Sequence, residues 1–265
     1  MTSDSAFLGS IPVVYHRCLG PLLFEPFAED LAERVAALAP RNVLETAAGT
    51  GIVTAAMVRS APEAVILATD LNQAMLDVAA ERIRSPLVRF EQADAQALPF
   101  EDGRFDTVVC QFGAMFFPDR IGAYREARRV LKKGGRFLFN VWDRLETNPV
   151  SEAVAGAVAA QFPGDPPSFL SRVPFGYHDQ ARIEAELYRA GFDDVVVETV
   201  AKTSLVASPR DAAVGLCQGS PLRAEIEARG DLEEATEAAA EALQRMAGPR
   251  GLESAMSAHV VSALV

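Results

Sequence analysis

Between residues 42 and 141, short apolar runs alternate with amphipathic stretches, and this rhythm constrains the fold more than any other feature of the chain. Asn42–Glu45 is the first apolar run. It leads into Glu45-Thr46-Ala47-Ala48-Gly49-Thr50-Gly51, after which residues 54–59 read as helix. Residues 64–70, 87–92, 105–111 and 136–141 are further strands. Residues 74–83 and 121–131 have helical spacing, and Lys132-Lys133-Gly134-Gly135 reads as a helix stop. Strands that are almost continuously apolar need cover on both faces. The expectation is therefore an α/β fold, a doubly wound and mostly parallel sheet with helices on both sides.

Two stretches break the rhythm. Residues 142–176 carry Pro149, Pro163, Pro166, Pro167 and Pro174. Residues 209–248 are helical and acidic, with Cys217-Gln218-Gly219-Ser220-Pro221-Leu222 as a hinge or pocket wall. Both follow strand ends and read as parts of a helical cap. Between them, residues 179–190 form a helix closed by Gly191, and Asp194–Val206 has strong β propensity. Residues 254–265 alternate weakly as a final strand, and residues 24–38 make an amphipathic helix ahead of the sheet. The expectation is one domain over 1–265, its core about 24–145, 178–206 and 254–265, its cap segments about 1–23, 146–177 and 209–248.

A chain of 265 residues can bury roughly three quarters of its unfolded surface, enough for a core without disulfides or metals. Its 36 acidic against 25 basic residues give a net charge of −11. That field repels phosphate backbones and anionic membranes, so neither nucleic acid nor membrane is an expected partner. Cys18, Cys110 and Cys217 are too few and too scattered for a disulfide framework or a zinc site, and a reducing, cytoplasmic compartment is the simple reading. No apolar run has transmembrane length, and residues 1–10 lack the basic start of a signal peptide.

The chemistry begins at the glycine turn. Glycines between strand and helix let backbone approach a ligand closely, and the helix N-terminus favours negative charge. A dinucleotide site wants Gly-x-Gly-x-x-Gly, and no glycine falls three residues after Gly51. Here an acid, Glu45, ends the strand, and Ala47, Gly49 and Gly51 follow at alternate positions. An acid at that point repels a pyrophosphate and suits a cationic ligand. A second acid, Asp70, ends the next strand about 20 residues on, placed to accept the hydroxyls of a ribose; it reads equally as an N-cap for the helix from Asn72 onward.

These landmarks, followed in order by Glu91-Gln92-Ala93-Asp94-Ala95-Gln96-Ala97-Leu98-Pro99-Phe100, Phe105-Asp106-Thr107-Val108-Val109-Cys110-Gln111 and Arg128-Arg129-Val130-Leu131-Lys132-Lys133-Gly134-Gly135-Arg136, resemble the class I S-adenosylmethionine-dependent methyltransferases. The likeness is strongest to the small-molecule enzymes of the ubiquinone/menaquinone-biosynthesis type. It covers about residues 11–145 clearly and 175–206 more loosely. It implies a Rossmann-like, seven-stranded sheet and S-adenosylmethionine as cofactor. It also implies cofactor contacts from Tyr15, Glu45, Ala47, Gly49, Gly51, Asp70, Leu71, Asp94, Ala95 and Gln111. Asp94 would accept the adenine amino group while the Ala95 backbone binds a ring nitrogen, and Tyr15 would cover the methionine end. The turn-forming Asp is the alternative for Asp94, and a core aromatic that for Tyr15. Ala47 stands where the family pattern has its first glycine, and the turn is expected to accommodate it at negative φ.

The end of the fourth strand, Cys110-Gln111-Phe112-Gly113, lacks the Asn/Asp-Pro-Pro-Tyr/Phe run common among enzymes that methylate amide or exocyclic nitrogens. Gln111 is placed to hydrogen-bond near the methyl donor or to cap the next element. Methyl transfer is an in-line displacement, so the protein mainly aligns the nucleophile and excludes water, and a loud catalytic motif is not expected. The catalytic candidates are His16, Tyr177, His178 and Asp143, though His178-Asp179 also reads as an N-cap and His259 as packing. Trp142, Phe162, Phe169, Phe175 and Tyr177 form an aromatic set suited to a neutral or ring-containing small-molecule acceptor. No Gly-x-Ser-x-Gly elbow and no phosphate-loop lysine occur. The alternatives are a non-catalytic S-adenosylmethionine-binding or regulatory protein and a nicotinamide-dependent oxidoreductase; the position of Glu45 argues against the second.

Overall fold

The computed structural model describes residue 4, residues 9–206 and residues 208–265. A short helix α1 (Ile11–Val14) runs into a ten-residue π-helix (Tyr15–Phe24) and then α2 (Glu25–Ala37). The alternating region follows as β1 (Asn42–Glu45), α3 (Ile52–Ser60), β2 (Val65–Asp70), α4 (Gln73–Arg82), β3 (Val88–Gln92), β4 (Phe105–Gln111), α5 (Arg120–Val130) and β5 (Leu131–Trp142). Next come α6 (Pro149–Gln161), α7 (Phe169–Arg172), α8 (Gln180–Ala190) and β6 (Asp194–Val206). The chain closes with α9 (Pro209–Gln218), α10 (Leu222–Glu227), α11 (Leu232–Met246) and β7 (Leu252–Leu264).

Two units emerge. One comprises Phe27–Trp142, Tyr177–Val200 and Ala258–Val265, the other Met1–Pro26, Asp143–Gly176 and Ala201–Ser257. The sheet has seven strands in the order β3-β2-β1-β4-β5-β7-β6. β1 pairs parallel with β2 and β4, β2 with β3, and β4 with β5. β7 runs antiparallel to β5, from Arg136↔Leu264 to Trp142↔Ala258. The expected α/β class and mostly parallel sheet are observed.

The sequence explains the layering of the sheet unit. In α2 the apolar positions Phe27, Ala28, Leu31, Ala32 and Val35 recur at helical spacing and are all buried. From Ala28 on, they share one core with Val43, Ile66, Val109 and Leu138 from four strands. Leu31 has no exposed surface, so Leu31→Ala would cost about 2–5 kcal/mol. Asp179 caps α8 by accepting from the Arg182 amide, and Gly191, at φ +99°, ends it as expected. The stretch 132–135 is more than a helix stop. Phe105 faces Leu131 but Thr107 faces Arg136, so these residues bulge out of β5, held by Lys132 Nζ on Asp106 Oδ1 at 2.6 Å and by Gly134 N on Val265 O at 2.8 Å.

In the other unit, α11 buries Ala235, Thr236, Ala239, Ala240 and Leu243 along one stripe. Asp231 caps it through the Glu234 amide, and Ser208 caps α9 through the Asp211 amide. The helix expected over 24–38 is α2 with a π-helical lead-in, which packs against α9 at Gly215, where a Cβ would meet Leu19 at 2.7 Å and Cys18 at 2.9 Å.

Candidate functional site

β1 lies between β2 and β4, and the chain winds outward from it in both directions. The carboxyl ends of β1 and β4 therefore flank the point where an open α/β sheet binds ligands. The glycine turn sits there. Its amides are tied to both neighbours: Thr46 N donates to Val109 O at 2.9 Å, Ala48 N to Thr69 O at 2.9 Å, and Gly49 N to the Asp70 side chain at 2.8 Å.

Three alternate residues, Ala47 (φ +52°), Gly49 (φ +56°) and Gly51 (φ +77°), are left-handed. This corrects the expectation of negative φ at Ala47. The turn needs positive φ at that position, and the chain bears roughly 1–2 kcal/mol of strain to keep a side chain there. At Gly51 a side chain would be strained and crowded: at φ +77° a Cβ would lie 2.6 Å from Ile83 Cδ1 and 3.0 Å from Ala79 Cβ. At Gly113, in the loop after β4, a Cβ would lie 2.5 Å from Ala47 Cβ and 2.7 Å from Cys110 Sγ. The two loops thus meet through the methyl group of Ala47.

Two carboxyls are buried at this place. Glu45 is 1% exposed, and its Oε2 accepts from Thr54 Oγ1 at 2.6 Å. Burial pushes its pKa up to about 8; the Thr54 bond opposes the rise and the Asp70 charge adds to it. Asp70 is 7% exposed, and its Oδ2 accepts from Gly49 N and its Oδ1 from Asn72 N, each at 2.8 Å. Burial raises its pKa too, against the pull of those amides. The N-cap position of α4 is Asn72 itself, so Asp70 makes a local turn and a brace to the glycine loop rather than a helix cap. Burial also lifts the Cys110 thiol to about 12.

At the end of β4, Phe112 adopts φ +48°, a conformation that a bulky residue holds only under constraint. Asn140, fully buried on β5, supplies it: its Oδ1 and its backbone oxygen accept from Phe112 N at 3.0 and 3.1 Å. Asn140 Nδ2 then donates to Gln111 Oε1 at 3.3 Å. Gln111 is partly exposed and does not occupy the N-cap of the following 3₁₀ turn, which is Gly113. The Phe112 ring stacks on Trp142 at 3.9 Å, and Phe27 meets both rings edge-on.

The other expected residues fall as follows. Asp94 forms a turn through Gln96 N at 2.8 Å, and Asp94 and Ala95 remain partly exposed. The Leu71 carbonyl accepts from Gln92 Nε2 at 2.8 Å. Tyr15 and His16 lie in the π-helix, in the unit without the glycine turn, and Tyr15 stacks on Phe24 at 4.9 Å. His178 is partly exposed just ahead of α8. Tyr177, expected in a cap segment, belongs to the sheet unit. Its hydroxyl meets Tyr124 at 3.0 Å and donates to Glu186 at 2.8 Å, and the Arg120 guanidinium lies over its ring at 4.3 Å. Burial raises its pKa well above the ordinary value, and the hydroxyl is held between Tyr124 and Glu186. Trp142, Phe169, Phe175 and Tyr177 are each 4% exposed or less and so interior, whereas Phe162 of the same set is partly exposed. His259 is a packing residue as read, its Nδ1 at 3.0 Å from Thr199 Oγ1 and 3.2 Å from Gln180 Nε2.

Residues 44–139 match a family model described as a methyltransferase domain. A demethylmenaquinone methyltransferase of Deinococcus radiodurans is 36% identical over 129 residues, 48% of this chain and 52% of that protein; the chain thus spans about half the length of that relative. A ubiquinone/menaquinone biosynthesis C-methyltransferase of Klebsiella pneumoniae is 32% identical over 170 residues, 58% of this chain and 67% of that protein. The chain belongs to the class I S-adenosylmethionine-dependent methyltransferases, of the ubiquinone/menaquinone-biosynthesis type. Its fold is also that of phosphoethanolamine N-methyltransferase 2 of Haemonchus contortus, solved with phosphomonomethylethanolamine and S-adenosylhomocysteine. That match has a TM-score of 0.63 at 16% identity and covers 98% of this chain and 59% of that one.

The residues of this methyltransferase fit its cofactor. A sulfonium cation suits two buried carboxyls held by neutral donors, Glu45 by the Thr54 hydroxyl and Asp70 by the Gly49 and Asn72 amides. Ribose hydroxyls suit Asp70, whose two oxygens hold one amide each and can accept further bonds. Asn72 Oδ1, beside Asp70, is buried and accepts no hydrogen bond among the described residues. Sequence reading passed over Asn140, Thr54 and the strained Phe112. The signal for Asn140 was one amide within the apolar run of residues 137–141.

Proposed function

We propose that this methyltransferase acts on a small, neutral or aromatic acceptor. The reading is carried by the glycine turn with its two buried acids at the strand switch point, a site built for the methyl donor. The acceptor class rests on the relatives, one named for demethylmenaquinone and one as a C-methyltransferase. It also rests on Cys110-Gln111-Phe112-Gly113 in place of a nitrogen-cradling run. Three free, buried cysteines agree with a reducing, cytoplasmic setting. Among the described residues no helix is long and apolar enough to cross a membrane.

When bound, S-adenosylmethionine supplies a methyl group activated by its sulfonium. Asp70 would hold the ribose hydroxyls, Glu45 would favour the positive charge, Asp94 and the Ala95 backbone would hold the adenine, and Gln111 would lie near the methyl. The chain's own work is alignment and exclusion of water, and the fixed turn and clamped Phe112 serve it by having few alternatives to settle. Incubation with methyl-labelled cofactor and a panel of phenols, quinols, amines and thiols, read by mass spectrometry, tests this. Methylation of ring-bearing neutral compounds is expected. Methylation of peptide or nucleic acid alone would overturn it.

A further inference from the structure

We propose that Asn72 is a cofactor-binding residue whose side-chain oxygen accepts a ribose hydroxyl. This rests on the reading of Asp70 as the ribose acceptor and extends it to a second residue.

Asn72 occupies the N-cap of α4, where an Asn side chain ordinarily accepts from the first turn's amides. It makes no such bond. The side chain instead turns back along β2, and its Nδ2 lies 3.4 Å from Asp70 Oδ1, an oxygen that already accepts from Asn72 N at 2.8 Å. A carboxylate accepts and does not donate, so the amide nitrogen faces Asp70 and the orientation of the group is fixed. Its oxygen is thereby left as an acceptor without a donor: Asn72 is 7% exposed, and Oδ1 has no partner among the described residues. Leaving a buried acceptor unmatched while a capping bond goes unmade is unfavourable twice over for the ligand-free fold. Such a local conflict persists where binding resolves it. The donor that resolves it must come from the ligand. The charged neighbour and the preceding strand end both belong to the ribose end of the expected site, so a ribose hydroxyl is the matching group. Asp70 and Asn72 would then divide the two hydroxyls between them.

The test is a pair of measurements on Asn72→Ala: thermal unfolding without ligand, and calorimetric titration with S-adenosylhomocysteine and with its 2′-deoxy and 3′-deoxy forms. Removing the unmatched oxygen should leave the ligand-free protein as stable or raise its midpoint by about 2–4 °C. Affinity for S-adenosylhomocysteine should fall about five- to tenfold, the size of one neutral hydrogen bond. One deoxy analogue, weaker than the parent on the wild type, should show no such deficit on the variant. A lower midpoint with unchanged affinity means Asn72 is a helix cap and overturns the inference, as does no change in either. Asn72→Ser, which can cap but cannot reach as far, gives the same affinity readout if the alanine variant does not fold. Asp70→Ala serves as the control. If it too leaves affinity unchanged, the ribose reading of this strand end fails as a whole; if it weakens binding and Asn72→Ala does not, only the present inference falls.

Discussion

The Asp70 carboxylate accepts the Gly49 amide at 2.8 Å, so the end of β2 holds the glycine turn that follows β1. Asp70 is then a brace as well as the proposed ribose acceptor, and its removal has two readouts. Asp70→Ala strips acceptors from two amides, Gly49 and Asn72, each worth about 1–3 kcal/mol when buried and unmatched. The loss is offset by removal of a carboxylate that burial disfavours. The ligand-free midpoint should fall by a few degrees, and cofactor affinity by about 1.5–3 kcal/mol, the worth of bonds to a charged acceptor. Calorimetry beside thermal unfolding separates the two. A lower midpoint with full affinity per folded molecule would reduce Asp70 to a structural role.

Glu45 makes stability and binding depend on pH in opposite ways. Its folded pKa, pushed up to about 8 from 4.5, lies above the unfolded value. The folded state therefore holds the proton more tightly, a stabilising contribution present in full below pH 4.5 and lost as pH rises through about 8. The ligand-free unfolding midpoint should decline between those limits. Glu45→Gln, which keeps an oxygen for Thr54 and removes the titration, should flatten that decline. A cation at the site favours the ionised carboxyl, so S-adenosylmethionine binding near pH 7 should release a proton. Titrations in two buffers of different ionisation enthalpy would show it, and identical apparent enthalpies would refute it.

The sequence carried the sheet well and the site unevenly, for identifiable reasons. β1, β2, β4 and β5 are apolar because both faces are covered, so composition alone marks them. Asp70 was visible as an acid at a strand end, yet its hold on Gly49 was not, since that bond joins residues 21 apart in sequence. Ala47 misled for a plain reason: local preference argues for negative φ, whereas the bonds of Thr46 to β4 and Ala48 to β2 impose the opposite sign. Asp70 read equally as a cap for the helix from Asn72 onward, but the cap position is Asn72 itself, and its side-chain amide meets Asp70 instead of the first turn. Tyr177 was read from its place at the end of a cap segment, but its partners Tyr124, Glu186 and Arg120 lie on α5 and α8, out of reach of any local pattern.

The contact between Ala47 and Gly113 gives a further test, because it joins two loops of the site through a single methyl group. Gly113→Ala would place its Cβ 2.5 Å from Ala47 Cβ and 2.7 Å from Cys110 Sγ, and the overpacking should cost about 1–3 kcal/mol. Ala47→Gly alone should be nearly neutral. It relieves roughly 1 kcal/mol of left-handed strain and gives back about as much in unfolded-state freedom. Together the two changes remove one of the two clashes, so the double variant should be more stable than the sum of the singles by about 0.5–2 kcal/mol, the size of coupling between touching residues. Denaturant unfolding of the four proteins measures that term. Strict additivity would mean that the glycine turn and the loop after β4 do not touch in solution. The coupling should also appear in cofactor binding. With Ala47 held against Gly113, the turn enters the bound state already ordered. Ala47→Gly should then weaken S-adenosylhomocysteine binding a few-fold while leaving the unfolding midpoint nearly unchanged, and equal affinity in the two proteins would show that the methyl group has no part in holding the turn for its ligand.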